Sequence, residues 1–291
     1  MNKIGVHFGY FNRDWNTDFV KQIETIKRIG LDILEVAPAP LMALTKQQRD
    51  EIAAAARDNE IDLTFSVGLG LDQDLASEDE NIRKNGIKFT TDTFKIMSEM
   101  GGKVYSGVDI AAWNKTFTEG VTDKSAAWER SISAVKEIMK SAEDRGITFA
   151  VEVVNRYESS LVNTAEEAIK YVDEVESPNC KILLDTYHMN IEEDSFADAI
   201  RSVGSRLGHF HVGESNRRPP CAQGKMPWDE ITGALKEINY TGAIVMEPFI
   251  KMGGEVGRDI KVWRDISKGA SEAEMEKLLA DAASMLRTKM Q

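Results

Sequence analysis

Short apolar runs alternate with helical patterns along the whole chain, and this alternation is the feature that most restricts the fold. Eight such runs occur, and their first residues lie 27 to 44 positions apart. A β-strand followed by a crossover helix needs about a dozen or more connecting residues before the next parallel strand. The runs therefore predict parallel strands at residues 4–8, 32–37, 61–67, 103–108, 147–153, 180–185, 207–213 and 242–247.

The segments between the runs have the periodicity of amphipathic helices. In the first segment, Phe19, Ile23 and Ile26 recur at intervals of three or four residues, which places them on one helix face. Eight strand–helix units of this kind close into a (β/α)8 TIM barrel, and no linker divides the chain, so we predict a single domain over residues 1–291. The two longest strand-to-helix connections, 213–228 and 248–272, are expected to rim the active face.

A doubly wound open sheet is the competing architecture. Its best support is Gly68-Leu69-Gly70, which follows the third predicted strand. The dinucleotide-binding fingerprint needs a third glycine at position 73, and this chain has Gln73 there. The sequence therefore favours the barrel, with an ordinary glycine-rich turn at this point.

Charge and cysteine content exclude several classes of partner. The 291 residues include 36 Lys+Arg and 48 Asp+Glu, a net charge of −12 without a basic tract, so we expect no nucleic-acid partner. No window approaches 18 uncharged apolar residues, so neither a membrane span nor a signal peptide is expected. Cys180 and Cys221 are too few for a disulfide framework in a chain of this length. A reducing, cytoplasmic location is the expected one.

Four side chains that can bind metal stand at the ends of the last four predicted strands. They are Glu152, Asp185, His211 and Glu247, separated by 33, 26 and 36 residues. The carboxyl ends of barrel strands converge on one mouth, so residues distant in sequence become neighbours there. Three carboxylates and one imidazole form an oxygen-rich ligand set suited to Mn²⁺, Mg²⁺ or Co²⁺. The sequence therefore predicts a divalent metal site at this mouth.

Further polar side chains are expected around the same site. His188 lies just past the sixth predicted strand, and Glu158 and Arg217 lie in strand-to-helix loops. His209 lies two positions before the candidate histidine ligand and faces the same way, so we expect it in a deeper layer as a hydrogen-bonded core residue.

Several segments resemble the ketose 3-epimerase family, whose members include D-tagatose 3-epimerases and D-psicose 3-epimerases. The similarity extends into the first half of the chain, in GLDILEV and SEDENIRKN, and so covers nearly the whole sequence. The segments that carry it are VEVVNRYE (151–158), LLDTYHMNIEEDSF (183–196), GHFHVGESNRRPP (208–220), GKMPWDEI (224–231) and VMEPF (245–249).

The resemblance implies a metal-dependent barrel enzyme that inverts C3 of free ketoses, with Mn²⁺ most often or Co²⁺, and that assembles as a homodimer or homotetramer. It matches the four strand-end residues to the metal ligands, and Glu152 and Glu247 also to the acid/base pair. Glu158, His188 and Arg217 match residues that hold the O1–O3 end of the sugar. Inversion beside a carbonyl requires proton removal from one face and return to the other, here through a metal-bound cis-enediolate.

Four other functions stay open at this point. An aldose/ketose isomerase or a sugar-phosphate epimerase uses the same enediol chemistry, and the adjacent Arg217 and Arg218 leave a phosphate site open. A metal-dependent abasic-site endonuclease has a similar barrel, but four histidines and an acidic chain disfavour it. A non-catalytic sugar-binding barrel would not need the pair of glutamates.

The chain departs from the family pattern where the far end of the sugar is expected. His7, at the end of the first strand, stands where relatives usually carry Tyr or Phe, and the stretch 105–116 matches poorly. An imidazole adds a hydrogen-bond donor and an acceptor to this wall. We therefore expect His7 to contact substrate and to influence which ketose is preferred.

Overall fold

Parallel strands hydrogen-bond in chain order and form a closed ring, as the computed structural model of residues 2–117, 120–121 and 123–291 shows. The last strand pairs with the first, Ile4 opposite Ile244, which confirms the (β/α)8 barrel and not the open sheet. The strands within the described residues are β1 (Ile4–His7), β2 (Ile33–Val36), β3 (Asp62–Gly68), β4 (Val104–Val108), β5 (Thr148–Val153), β6 (Cys180–Asp185), β7 (Leu207–Val212) and β8 (Ile244–Met246).

Helices surround the barrel and connect its strands. None of those in the described parts of the chain is long and apolar enough to cross a membrane. They are α1 (Phe19–Arg28), α2 (Pro38–Met42), α3 (Lys46–Asp58), α4 (Glu80–Met100), α5 (Ser125–Arg145), α6 (Ala165–Val175), α7 (Thr186–Glu192), α8 (Phe196–Val203), α9 (Trp228–Glu237), α10 (Gly254–Asp259) and α11 (Glu272–Lys289).

Local sequence signals explain where these helices begin and which face they bury. The carboxylate of Asp18 accepts a hydrogen bond from the backbone N–H of Lys21 and so caps α1. The apolar stripe of α1, with Phe19, Ile23 and Ile26, is buried against the barrel. Outer helices of this kind cover apolar strand residues and leave the open end of the barrel to the loops.

The layer between strands and helices holds an aromatic cluster. The rings of Tyr105 in β4 and Phe149 in β5 stack with centroids 5.6 Å apart, and Phe94 of α4 meets Tyr105 edge-on at 5.2 Å. All three are fully buried. Offset and edge-on aromatic pairs contribute beyond their buried area, and this cluster fixes α4 against the two strands.

Strand bounds agree with the sequence prediction to within two residues, with differences that matter at the site. The first run ends early because Phe8 begins a 3₁₀ turn, in which the backbone N–H of Gly9 donates to Nδ1 of His7. Glu247, expected as the last residue of its strand, lies one residue beyond β8, but its N–H still donates to the carbonyl of Val212. The segment 248–272, predicted as a loop, contains α10.

One glycine in β4 is required by the backbone. Gly107 has φ of +112°, and a Cβ there would clash with the carbonyl oxygen of Val67 in β3. We expect Gly107→Ala to lower the free energy of unfolding by about 2–4 kcal/mol, through backbone strain and steric overlap. Gly233 in α9 has open space around its Cβ position, so Gly233→Ala should raise it by about 0.5–1 kcal/mol. Chemical denaturation of both variants tests this, and an unchanged stability in Gly107→Ala would contradict it.

Candidate metal centre and substrate pocket

Four candidate ligands from four adjacent strands meet at the mouth of the barrel. Glu152 is the penultimate residue of β5, Asp185 ends β6, His211 is the penultimate residue of β7, and Glu247 directly follows β8. Their ligand atoms, one from each residue, all lie within 4.8 Å of one another. Since neighbouring parallel strands end at the same level, the topology alone brings these four side chains together.

The geometry of this cluster suits a bound cation. Nδ1 of His211 is buried, lacks a hydrogen-bond partner among the described residues, and lies 3.9 Å from Oε1 of Glu152 and 3.9 Å from Oε2 of Glu247. An unpaired buried nitrogen next to carboxylate oxygens is unfavourable unless something fills the space between them. One nitrogen and three carboxylates are a donor set for a hard or borderline divalent ion.

Buried charges perturb the ionisation of the cluster. Burial raises the pKa of Glu152 well above its ordinary value, and the nearby carboxylates of Glu247 and Asp185 raise it further. Burial opposes protonation of His211, but the surrounding carboxylates, led by Glu35, outweigh it and raise its pKa to about 10. Burial is thus the main cause for Glu152, whereas the negative charge of the neighbouring carboxylates is the cause for His211. A divalent cation would offset this negative charge.

Arg217 brings a permanent positive charge to the site. Its Nη1 lies 2.6 Å from Oε2 of Glu247 and 3.5 Å from Oδ2 of Asp185, and its Nη2 lies 3.6 Å from Oε1 of Glu158. The guanidinium carbon also lies 3.9 Å from the centre of the Tyr187 ring, a cation–π geometry. The backbone of Arg217 has φ of +61°, so the loop accepts strain to bring this side chain into the mouth.

Glu158 and His188, predicted substrate contacts, belong to one buried hydrogen-bond network. The side-chain amide of Asn155 donates to Oε1 of Glu158, and its backbone N–H donates to Nδ1 of His188. Nε1 of Trp113 donates to the other oxygen of Glu158. Burial disfavours the charged form of Glu158, but Arg217 and these donors outweigh it and lower its pKa to about 2.

The hydrogen bonds of this network orient the ring of His188 so that its Nε2 faces the candidate metal ligands. Because Nδ1 accepts from the backbone of Asn155, the neutral ring carries its proton on Nε2, which lies 3.6 Å from Glu152 and 3.7 Å from Asp185. Burial lowers the pKa of His188 to about 4. His188 is therefore a neutral hydrogen-bond donor at the floor of the pocket.

His7 ends β1 and lies in an aromatic wall. Its ring is 5.4 Å from Phe249 and 6.4 Å from Trp15, centre to centre. The N–H of Gly9 occupies Nδ1, so Nε2 carries the proton of the neutral ring, and burial lowers the pKa of His7. The imidazole of His7 therefore adds a hydrogen-bond donor to this aromatic wall.

A cavity of about 800 Å³ opens at the mouth, and it is lined by Glu152 and Glu247 and by side chains from both long connections. Arg217 comes from 213–228, and Phe249 and Asp259 come from 248–272. Nε1 of Trp15 donates to Asp259, and the N–H of Phe249 donates to the carbonyl of Arg217. The first bond connects the loop after β1 to the loop after β8, and the second connects the loop after β8 to the loop after β7.

Sequence reasoning missed Asn155, Trp113 and Glu35 of this region. Asn155 stands in a loop, and Trp113 stands in the stretch that matches the family poorly. The sequence does not mark either residue as functional, because their contacts with Glu158 and His188 form only in the folded chain. Glu35 had a usable signal, since it is an acid between Leu34 and Val36 in the interior of the apolar run 32–37. His209 lies deeper, as expected, and is hydrogen-bonded to Glu35 at 2.7 Å.

Comparison with known proteins identifies the family. Residues 23–273 match the family described as xylose isomerase-like TIM barrel. The D-psicose 3-epimerase of Ruminiclostridium cellulolyticum is 44% identical over 275 residues, which are 94% of this chain and 93% of that protein. The chain belongs to the ketose 3-epimerase family. It is thus an enzyme of the isomerase class.

Two further relatives support this assignment. The D-psicose 3-epimerase of Agrobacterium fabrum is 41% identical over 98% of both chains. The crystal structure of a D-psicose 3-epimerase with D-tagatose, from Clostridium cellulolyticum, superposes with a TM-score of 0.96 at 43% identity, over 99% of each chain. The similarity therefore extends over the whole barrel and its loops.

The raised pKa of Glu152 generates a prediction on stability in metal-free protein. The folded state favours the protonated acid. Protonated Glu152 therefore contributes to the free energy of unfolding below its ordinary pKa of 4.5. That contribution is lost as the pH rises toward the pKa of Glu152 in the folded protein. Glu152→Gln removes the titration. We expect metal-free Glu152→Gln to lose less stability than wild type as the pH rises from about 5 to 8.

Chemical denaturation of both proteins in chelator measures this difference. Glu255→Gln is the matched control, because Glu255 also lines the cavity but is exposed. It should follow the wild-type pH dependence. Parallel curves for wild type and Glu152→Gln would contradict the account.

Proposed function

We propose that the enzyme is a metal-dependent epimerase that inverts C3 of free ketoses, with Glu152 and Glu247 as the proton-transferring pair. The observation that carries the proposal is the convergence of these two carboxylates, from β5 and β8, on one histidine nitrogen at equal distance. β5 and β8 are separated by two strands in the ring, so the two carboxylates reach the mouth from different sides. Inversion of a carbon needs proton carriers on two faces.

The residues of the chain have separate tasks in this reaction. Glu152 or Glu247, whichever is ionised, removes the C3 proton, and the other returns one to the opposite face, so the roles exchange with the direction of the reaction. A divalent cation, held by Glu152, Asp185, His211 and Glu247, supplies Lewis acidity toward the carbonyl oxygen when bound. Because the two glutamates interact, the pH–rate profile belongs to the pair and not to either residue.

The remaining polar groups hold the sugar. Arg217 and His188 present N–H donors to the pocket and Glu158 presents a carboxylate, which together match a carbonyl oxygen flanked by hydroxyls. The hydrogen bonds of Asn155 and Trp113 fix Glu158 and His188 before the substrate arrives. Such preorganisation keeps reacting atoms in position without reordering the site.

A free sugar fits the pocket better than a sugar phosphate. Arg218, which the sequence left open as a phosphate ligand, donates to the carbonyl of Ile266 at 2.7 Å. Among the described residues that line the cavity, Arg217 is the cationic group, and three carboxylates already surround it. The relatives named as D-psicose 3-epimerases make D-psicose and its C3 epimer D-fructose the first substrates to test, followed by D-tagatose and ketopentoses.

Assembly, location and metal identity extend the proposal. We propose Mn²⁺ as the preferred ion, with Co²⁺ or Mg²⁺ as substitutes, a homodimer or homotetramer, and a cytoplasmic location. Neither nucleic acid nor membrane is a proposed partner. Sedimentation velocity of the purified protein distinguishes the two assemblies from a monomer.

Removal of the metal should abolish turnover and lower thermal stability. We expect chelation to stop epimerisation and Mn²⁺ or Co²⁺ to restore it better than Zn²⁺, given the oxygen-rich ligands. Binding to the folded state alone should add about 2.7 kcal/mol at a free metal concentration one hundred times Kd. Full activity in excess chelator, with no metal found by elemental analysis, would contradict the metal centre.

Glu152→Gln and Glu247→Gln should each remove nearly all turnover, because an amide keeps the shape but cannot carry the proton. We expect losses of at least about 10² to 10⁴-fold, whereas Glu255→Gln should stay near wild type. Exchange of the C3 hydrogen with D₂O, followed by NMR on D-psicose, measures proton abstraction directly. Wild-type protein that binds the sugar without C3 exchange would favour a non-catalytic barrel, and deuterium at C1 would favour an aldose/ketose isomerase.

His7→Phe should change the ratio of activities among ketoses more than it changes the best rate. A donor that meets a substrate hydroxyl discriminates more strongly than an apolar wall, whose effect is about 1–3 kcal/mol per mismatched group. Measured kcat/KM for D-psicose, D-tagatose and a ketopentose tests this, with Trp15→Phe as a control that alters the wall and keeps the imidazole. A uniform drop across all sugars would indicate lost packing and refute the specificity role.

A further inference from the structure

Glu35 is a fully buried carboxylate inside the barrel that the proposed reaction does not use. It lies on β2 and is 0% exposed. One oxygen, Oε2, accepts a hydrogen bond from the hydroxyl of Thr64 at 2.9 Å and lies 2.7 Å from Nε2 of His209. Barrel interiors are usually filled by branched apolar side chains, and a buried carboxylate is unfavourable unless it is well partnered. Its presence here requires an explanation.

The other oxygen of Glu35 meets a candidate metal ligand. Oε1 lies 2.8 Å from Nε2 of His211, an ion-pair distance, although the two atoms are not aligned as a hydrogen bond. Neither atom has a hydrogen-bond partner elsewhere in the described residues. The opposite nitrogen of the same ring, Nδ1, faces Glu152 and Glu247. Glu35 therefore stands behind the histidine of the metal cluster, on the side away from the ion.

We propose that Glu35 is a positioning residue of the metal centre, which holds the ring of His211 through Nε2 and so keeps Nδ1 directed at the other three ligands. A neutral imidazole offers a metal-binding lone pair only on the nitrogen without a proton. In the neutral ring that binds an ion, a carboxylate at Nε2 favours the proton on that nitrogen and leaves Nδ1 free. The inference rests on the proposed function, because it requires an ion at the four ligands.

The hydrogen bonds to Oε2 give Glu35 the rigidity that this role needs. Thr64 on β3 and His209 on β7 approach Oε2 from different strands, so rotation of the carboxylate away from His211 would break both contacts. Metal-binding histidines commonly have such a carboxylate partner, and its loss weakens metal affinity. In this barrel the partner reaches across the interior from β2 to β7.

Glu35, His209 and His211 could instead form an ion site of their own, since their donor atoms are close. The separations argue against this. Two ligands that each lie about 2.1 Å from one ion at right angles or wider are about 3 Å or more apart. The contacts of 2.7 and 2.8 Å are those of hydrogen-bonded or ion-paired groups, and Thr64 already occupies one oxygen.

Metal affinity of Glu35→Gln tests the proposal. Metal-stripped wild type, Glu35→Gln and the control Thr64→Val are titrated with Mn²⁺ by calorimetry and with Co²⁺ by visible absorption. Thr64→Val removes a partner of the same carboxylate without touching His211. We expect Glu35→Gln to raise Kd by about 10- to 100-fold and to shift the Co²⁺ absorption bands, and Thr64→Val to raise Kd by less than about tenfold.

A purely structural role predicts a different result. Both variants would then lower the melting temperature of metal-free protein and leave Kd and the Co²⁺ spectrum as in wild type, which would overturn the proposal. If Glu35→Gln does not fold, Glu35→Asp is measured instead, because it keeps the negative charge but moves it away from His211 by one methylene. An unchanged Kd for Glu35→Asp also overturns the proposal. Wild-type protein that binds neither ion would overturn the proposed function as well, so the two failures are distinguishable.

Discussion

Mutual repulsion among carboxylates at one end of the barrel is the constraint on which the rest of this structure depends. Glu152, Asp185 and Glu247 lie within 4.8 Å of one another with His211, and Glu158 lies close by. Buried like charges at such distances are strongly unfavourable unless positive charge accompanies them. The loops and the strained backbone of Arg217 hold a guanidinium against this cluster, and Asn155 and Trp113 direct hydrogen-bond donors at Glu158.

The barrel topology makes this concentration of charge possible. Strands that run in the same direction all end at one mouth, so each strand can contribute one side chain without any bend in the chain. The outer helices and the aromatic cluster of Phe94, Tyr105 and Phe149 supply apolar burial elsewhere in the fold. Stability from that layer offsets the electrostatic cost of the mouth, a common trade between stability and function.

The sequence predicts the scaffold and the meeting of the four strand-end side chains, for one physical reason. Apolar runs mark the strands, and the register of a parallel barrel fixes what stands at their ends, so Glu152 and Asp185 can be located without knowledge of their neighbours. Residues that act through a partner cannot be located from the sequence in this way. Asn155 and Trp113 meet Glu158 and His188 only in three dimensions, and Glu35 lies 176 positions from His211. The positive φ of Arg217 is likewise set by its loop.

Anomalous diffraction from crystals grown with Mn²⁺ and D-fructose tests the central claim most directly, because it locates the ion without reference to activity. The account predicts one strong manganese peak at the mouth, bonded to Nδ1 of His211 and to carboxylate oxygens of Glu152, Asp185 and Glu247. Sugar density should lie beside it, with C3 between the two glutamates. A peak elsewhere, or sugar bound with C3 remote from both glutamates, would contradict the account.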